Sequence, residues 1–462
     1  MPESGKYDAL VLGAGSAGAS AALSLARAGK SVIVVERRAL ADAGARWVNG
    51  VPLWMFDSAS IDRPRKPELR EAGRFIVQAH EGKERIVINP SPAQPVDIRH
   101  LGARLRELAR DAGARFVDHC GITDHELDRD GRLRSLHFER DGDRFSCQAR
   151  LFVDASGLNA ALRRRVPRLS VDTPRVEPYD LCSAAQYVMG LDAPAAATAF
   201  LAREGLEPGD TLCTLGEDGG FSTANISVDP EAGEAELLTG SIANGAHASG
   251  ERIVSRLCER YPWLGERRFG GAGAIPLRRP YDRLGAAGVA LVGNAACQVF
   301  PAHGSGTGIG MIAGRLLARA VATYEDIGSE RALWSYQALF HRRYGGLLAF
   351  YDLVRRHAQS LDAEAIAGLL RDRLINRSSQ FAALDQRIPT PAGRELVAML
   401  PGLGRRAREA FGLARALGPG PTLLAHYARY PEQVDELGLR KWSRRGAWLR
   451  GDQADLSALR IR

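Results

Sequence analysis

The stretch YDALVLGAGSAGASAALSLARAGKSVIVVERR, residues 7–38, constrains the fold more than any other part of the chain. Tyr7 to Leu12 is a short apolar run of strand character, Ala19 to Ala28 is rich in helix formers, and Val32 to Val35 reads as a second buried strand. Gly13, Gly15 and Gly18 form GxGxxG between the first strand and the helix. Such a turn needs its first glycine to bend, its second to let backbone approach a pyrophosphate, and its third to let helix pack on strand. The helix would offer unpaired N–H groups and its positive dipole end to phosphates. Glu36 closes the second strand, where a carboxylate can accept from a ribose hydroxyl, and Arg37 follows it. The unit predicts a Rossmann-like dinucleotide site without choosing the dinucleotide.

Two distant segments narrow the choice. ARLFVDASGLNAALRRRV (149–166) is an apolar strand ending in Asp154, followed by an Arg-rich segment of helical character. GVALVGNAACQVFPAHGSGTGIGMIAGRLLA (288–318) is a buried strand, then Gly293-Asn294, a glycine-rich loop and a small-residue helix. In this order the three segments resemble the FAD-dependent para-hydroxybenzoate hydroxylase superfamily. Within it, residues 273–318, with Ile-Pro before the strand and Pro-x-x-Gly-x-Gly in the loop, are most similar to the geranylgeranyl reductase branch. Flavin-dependent halogenases are similar in part.

The resemblance implies an α/β fold: a Rossmann-like (GR2-type) FAD-binding domain, an interleaved antiparallel β-sheet substrate domain and a mostly helical C-terminal region. We expect FAD binding from residues 1–45, 95–165 and 285–330, substrate-binding insertions at 46–94 and 166–284, and the helical region at 331–462. Gly13, Gly15, Ala17, Gly18, Glu36 and Arg37 match the fingerprint end. By the same resemblance Arg46 and Arg99 would contact the diphosphate or ribose, Asp154 the middle of the cofactor, and Gly293, Asn294, Gly304 and Gly306 the flavin end. Two positions depart from the family. Asn294 stands where relatives carry aspartate, keeping an acceptor but losing a charge, and Ser156 replaces a second aspartate.

The rest of the pattern agrees with this organisation. Asp130-Gly131 and Asp141-Gly142 punctuate alternating stretches and predict a hairpin meander. GGFSTANISVD and EAELLTGSIAN alternate polar and apolar residues, as strands of a half-buried antiparallel sheet do. Beyond residue 330, apolar residues recur at three-and-four spacing, predicting helices, with Gly-Pro clusters at 401–404 and 418–421 as breaks.

Composition excludes more than it assigns. The six cysteines are scattered without metal-like spacing, so no metal is expected. No apolar run reaches the roughly 18 residues of a spanning helix. No leader pattern precedes the first strand, so the expectation is a cytoplasmic protein with at most peripheral membrane contact. The net charge of +8 is Arg-dominated, but no aromatic-interleaved basic stripe appears and no nucleic-acid partner is expected.

A flavin does the redox chemistry while the protein supplies position and exclusion of water. Three outcomes are open: reduction of an activated double bond, oxygenation of an aromatic or natural-product intermediate, and halogenation. The Trp-x-Trp-x-Ile-Pro signature of halogenases is absent, and the 293–310 motif favours the reductase branch. The Tyr-x-Trp-x-Phe-Pro substrate motif of that branch is replaced by residues 220–225, GFSTAN, which argues against a polyprenyl lipid. The reductant would be NAD(P)H or a protein donor, and the substrate a largely apolar small molecule, lipid-like or carrier-bound. RWVNGVPLWMF (46–56) lies where relatives send a loop across the flavin. It predicts a tight turn at 49–52 and apolar walls from Trp47, Trp54 and Phe56, with Phe221 as a further substrate contact. His303, beside the flavin loop, and Asn49 are the catalytic candidates, His303 as a proton donor.

Overall fold

The computed structural model describes residues 4–80 and 83–452. The fingerprint folds as the strand Gly5–Leu12, the helix Ser16–Arg27 and the strand Val32–Val35. Gly29 ends the helical stretch in the left-handed region, at φ +74°. The two strands pair in parallel at the centre of an eight-stranded sheet. Their four-residue buried runs, Ala9 to Leu12 and Val32 to Val35, reflect a sheet covered on both faces.

The long strand Asp143–Asp154 serves two partners. Its first half turns at Asp141-Gly142 and pairs antiparallel with Leu133–Arg140, which in turn pairs with Gly121–Leu127. Its second half lies parallel to Gly5–Leu12, and its end lies parallel to Val289–Leu291. The three distant sequence segments therefore meet side by side in one sheet. The helix Thr307–Val321 packs on Ser16–Arg27, where Gly314 approaches the backbone of Ala21.

A second, seven-stranded sheet draws on residues 75–88, 181–191, 211–242 and 264–276. It is antiparallel except where Thr211–Leu215 runs parallel to Phe75–Ala79. Ser222–Asp229 alternates strictly: Ala224, Ile226 and Val228 are buried, while Thr223, Asn225 and Ser227 are only partly covered. The buried face joins Phe200, Val254 and Trp263 in a core shared with the helices Pro194–Glu204 and Gly250–Arg260. The other face is left for the cavity described below.

Three local expectations are corrected. Asn49 to Pro52 makes no tight turn; Val48–Pro52 is a strand paired with Ala93–Asp97. The Arg-rich segment after Asp154 forms only the short 3-10 turn Gly157–Asn159 rather than a helix. Pro401 does not break the C-terminal pattern, since Gly393–Arg405 runs through it, whereas the 418–421 cluster does separate two helices.

The C-terminal helices enclose two buried histidines. His341 stacks on Tyr430 at 4.7 Å and His426 on Trp442 at 4.6 Å. Burial lowers both imidazoles to about 4, helped at His426 by Arg450 and Arg445. Both are neutral in the fold but would take up protons on unfolding below pH 6.5. Stability is thus full above that value and falls as pH drops towards 4. At pH 5 each residue is expected to cost about 2 kcal/mol. Thermal denaturation should therefore show a steep loss between pH 7 and 5 that His341→Gln flattens; an unchanged slope in the variant would refute this assignment.

Candidate functional site

One cavity of about 1580 Å³ runs between the two sheets and under the C-terminal helices. That exceeds the roughly 300–1,000 Å³ of an ordinary small-ligand pocket, and is enough for a dinucleotide together with a second molecule.

Its first end is built by the fingerprint. Gly13 has φ +103°, and a Cβ there would lie 2.5 Å from the carbonyl oxygen of Ala155. A Cβ at Gly18 would overlap the carbonyl oxygen of Gly13, so Gly18 sets the packing of the turn on its own helix and does not itself line the cavity. Gly15, Ala17, Glu36 and Arg37 do line it. Gly15 caps the helix without any side-chain hydrogen bond, which leaves first-turn N–H groups free to receive an anion. Glu36 is nearly buried, and its carboxylate accepts from the backbone N–H of Ala14 at 2.8 Å and of Arg38 at 3.0 Å. The carboxylate thus ties the glycine turn to the end of the second strand.

The middle of the cavity differs from expectation. Arg46 lines it but is held by Asp42 at 2.5 Å. Arg99 is not a lining residue. Asp97 caps the helix Ile98–Asp111, and the Arg99 guanidinium folds back onto that carboxylate at 2.7 Å while lying 3.3 Å from the Phe269 ring centre. Asp154 is fully buried and also lies behind the wall. Its carboxylate accepts from the Ser156 hydroxyl at 2.6 Å and from backbone N–H groups of Ser156 and Leu162. It shapes the turn that carries Ala155, Ser156 and Gly157 to the cavity surface, and Ser156 completes that network where relatives have a second carboxylate.

The other end is built by the third segment. Gly293, Asn294, Gly304 and Gly306 line it, and Gly306 precedes the helix Thr307–Val321, again with no side-chain cap. Two uncapped helix N-termini therefore face one elongated cavity. The residues fit an extended dinucleotide: one terminus for a diphosphate, the other for a polarised ring carbonyl. Asn49 lines this end and its amide donates to the Thr307 hydroxyl at 3.4 Å.

His303 lines the cavity and its ring is exposed to it, while desolvation by the surrounding protein lowers the imidazole to about 4. Its partners place the proton on Nε2, which donates to the Ala383 carbonyl at 3.1 Å, while Nδ1 accepts from the Ser305 N–H at 3.4 Å. Both ring nitrogens are thus engaged within the protein. The ring ties the loop to the helix Arg377–Leu384.

Beyond this end the cavity widens into an apolar chamber. Cys182, Ala184, Leu238 and Gly240 of the seven-stranded sheet form its floor, with Thr223, Asn225 and Phe221. Phe350, Val354, Ile366, Leu369, Leu413 and Leu417 of the C-terminal helices form its roof. Trp47 reaches the cavity, but Trp54 and Phe56 do not. The helix Leu53–Ala59 begins directly after the strand and turns Phe56 into the core, while the Trp54 indole donates to the Asp385 carbonyl at 3.0 Å.

Three residues that the sequence left unmarked shape the site. Gly44 packs against Gly15 beside the turn. Arg106, almost fully buried, reaches under the glycine turn to the Ala14 carbonyl at 3.4 Å. Arg355 lines the chamber and is held by Asp180 at 2.7 Å and by Asp352. For Arg106 the only signal is one charge beside an otherwise apolar helical stripe.

Comparison with known proteins agrees with this geometry. Residues 8–164 match the FAD dependent oxidoreductase family. A digeranylgeranylglycerophospholipid reductase of Methanopyrus kandleri is 28% identical over 74% of this chain and 83% of its own. Another from Sulfolobus acidocaldarius is 22% identical over 95% of this chain and 96% of its own. The crystal structure of a geranylgeranyl bacteriochlorophyll reductase-like protein from Thermoplasma acidophilum superposes with a TM-score of 0.69 at 18% identity, covering 89% of this chain and 99% of that one. The chain is an FAD-dependent oxidoreductase similar over most of its length to the geranylgeranyl reductase-like flavoproteins.

Proposed function

We propose that the protein reduces a carbon–carbon double bond in a largely apolar, lipid-like substrate, with NAD(P)H or a protein donor as the source of electrons. The observation that carries this reading is the continuity of the cavity: the dinucleotide cradle opens into an apolar chamber without an intervening wall. The named reductase relatives support the same reaction class.

In this reading residues 1–45, 95–165 and 285–330 hold the cofactor. Gly15 and Ala17 present backbone N–H groups to its diphosphate while Gly13 shapes the turn, Glu36 and Arg37 flank its adenosine end, and Arg46 adds positive charge. Gly293, Asn294, Gly304 and Gly306 bring backbone close to its ring end. Bound FAD supplies the two-electron chemistry. Trp47 and Phe221 wall off water and Asn49 orients the polar end of the reacting group, while Leu238, Val354, Leu413 and Leu417 accept apolar chain.

The test is anaerobic. Protein reduced in the absence of oxygen is expected to be reoxidised by an apolar, lipid-like alkene with an activated carbon–carbon double bond, with the product gaining two hydrogens. Flavin that stays reduced until oxygen is admitted, followed by an oxygenated product, would overturn the proposal. Ala184→Trp, which fills the chamber floor, is expected to lower turnover at least about tenfold with full flavin content. Unchanged turnover in that variant would remove the chamber from the reaction.

A further inference from the structure

The helices Gly393–Arg405 and Ala407–Leu417 carry an uncovered apolar surface: Leu396, Val397, Leu400 and Phe411 are 50%, 66%, 61% and 71% exposed. Scattered exposed apolar residues are ordinary, but a cluster on two consecutive helices marks an interaction site. On the second helix Arg408, Phe411 and Arg415 follow at i, i+3 and i+7 and so share one face. Arg408 and Arg415 are exposed, and neither makes a hydrogen bond or salt bridge among the described residues. Their neighbours differ: Arg405 and Arg406 are both tied to Asp372, Glu395 accepts from Ser378, and Glu409 lies beside Arg406. The uncommitted charge on this face is thus positive. The opposite face of the same helix, through Leu413 and Leu417, lines the apolar chamber.

We propose that this helical pair docks on an anionic lipid bilayer, with Leu400 and Phe411 entering the boundary between headgroups and acyl chains and Arg408 and Arg415 meeting lipid phosphates. Cations and apolar side chains on one helix face are what a bilayer interface accepts. A second copy fits less well, because a two-fold contact would bring these arginines against themselves. One helix would then be the partition between bilayer and chamber, giving an apolar molecule a path that avoids water. The docking rests on surface chemistry alone, so it stands or falls apart from the reaction proposed above.

FAD-loaded full-length protein is to be sedimented with vesicles of equal parts phosphatidylglycerol and phosphatidylcholine, and with vesicles of phosphatidylcholine alone. Binding to the mixed vesicles that weakens with salt is expected. Leu400→Ser/Phe411→Ser and Arg408→Glu/Arg415→Glu should each lower partitioning at least about tenfold. Both variants change surface residues only and should keep flavin content and circular dichroism. Absence of binding to mixed vesicles, or equal binding by both variants, would overturn the proposal. So would a concentration-dependent dimer that the Leu400→Ser/Phe411→Ser variant dissolves.

Discussion

Gly18→Ala is expected to yield a folded protein that no longer retains flavin. Alanine is the smallest possible change, yet its Cβ would overlap the carbonyl oxygen of Gly13 and crowd the Ala155 side chain. Neither is the end of a flexible side chain, so relief requires moving backbone. Overpacking of this kind costs about 3 kcal/mol. If that cost falls on the cofactor-competent turn, FAD affinity drops about 100-fold. Flavin absorbance of the purified protein and its titration with added FAD measure the effect. Gly393→Ala is the control, since no atom lies within 4 Å of a Cβ there. Equal flavin retention in the two variants would show that the turn does not grip the cofactor.

The second large effect is expected at Arg355, whose side chain is fully buried and joins two parts of the chain. Its guanidinium donates to Asp180 at 2.7 Å, to Asp352, to the Tyr179 carbonyl at 3.0 Å and to Gln359 at 2.6 Å. Asp180 precedes the first long strand of the seven-stranded sheet, whereas Asp352 and Gln359 lie on the helix over the chamber. Burial alone would raise Asp352, but Arg356 and Arg355 hold its carboxyl well below the usual range. Arg355→Met leaves Asp180 without its cation and Asp352 with Arg356 alone. Breaking a buried pair from one side costs about 3–5 kcal/mol. The melting temperature should fall roughly 5–10 °C. Adding Asp180→Asn should recover part of the loss. A single variant that melts within about 1 °C of the parent, or a double variant that recovers nothing, would show that the cluster does not join sheet to helix.

The parts of the site legible in the sequence are those whose requirements are local. GxGxxG fixes backbone conformation and close approach within a few residues, so Gly13, Gly15 and Gly18 announce their roles without knowledge of the rest. The same holds for Gly293 and the loop to Gly306. What failed were side chains whose direction depends on the next element. Trp54 and Phe56 look equivalent to Trp47 in a string of apolar residues, but a helix starting at Leu53 rotates them away. Arg99 looked free because its partner, Asp97, reads as a helix cap and nothing in the spacing says that it also takes the guanidinium. The roof was harder still. Three-and-four periodicity shows that the C-terminal helices have an apolar face, but not that part of that face is left facing empty space.

The order of strands also decides when the site can exist. The strand ending at Asp154 lies between Gly5–Leu12 and Val289–Leu291, and the helix Thr307–Val321 backs the fingerprint helix. During synthesis the first half of the cradle must wait for more than a hundred later residues before its open edge is sealed. A fragment cut after residue 165 would keep every fingerprint glycine yet expose a bare strand edge and an apolar helix back. Such a piece is a template for aggregation, so the N-terminal segment cannot be lifted out as a portable flavin module.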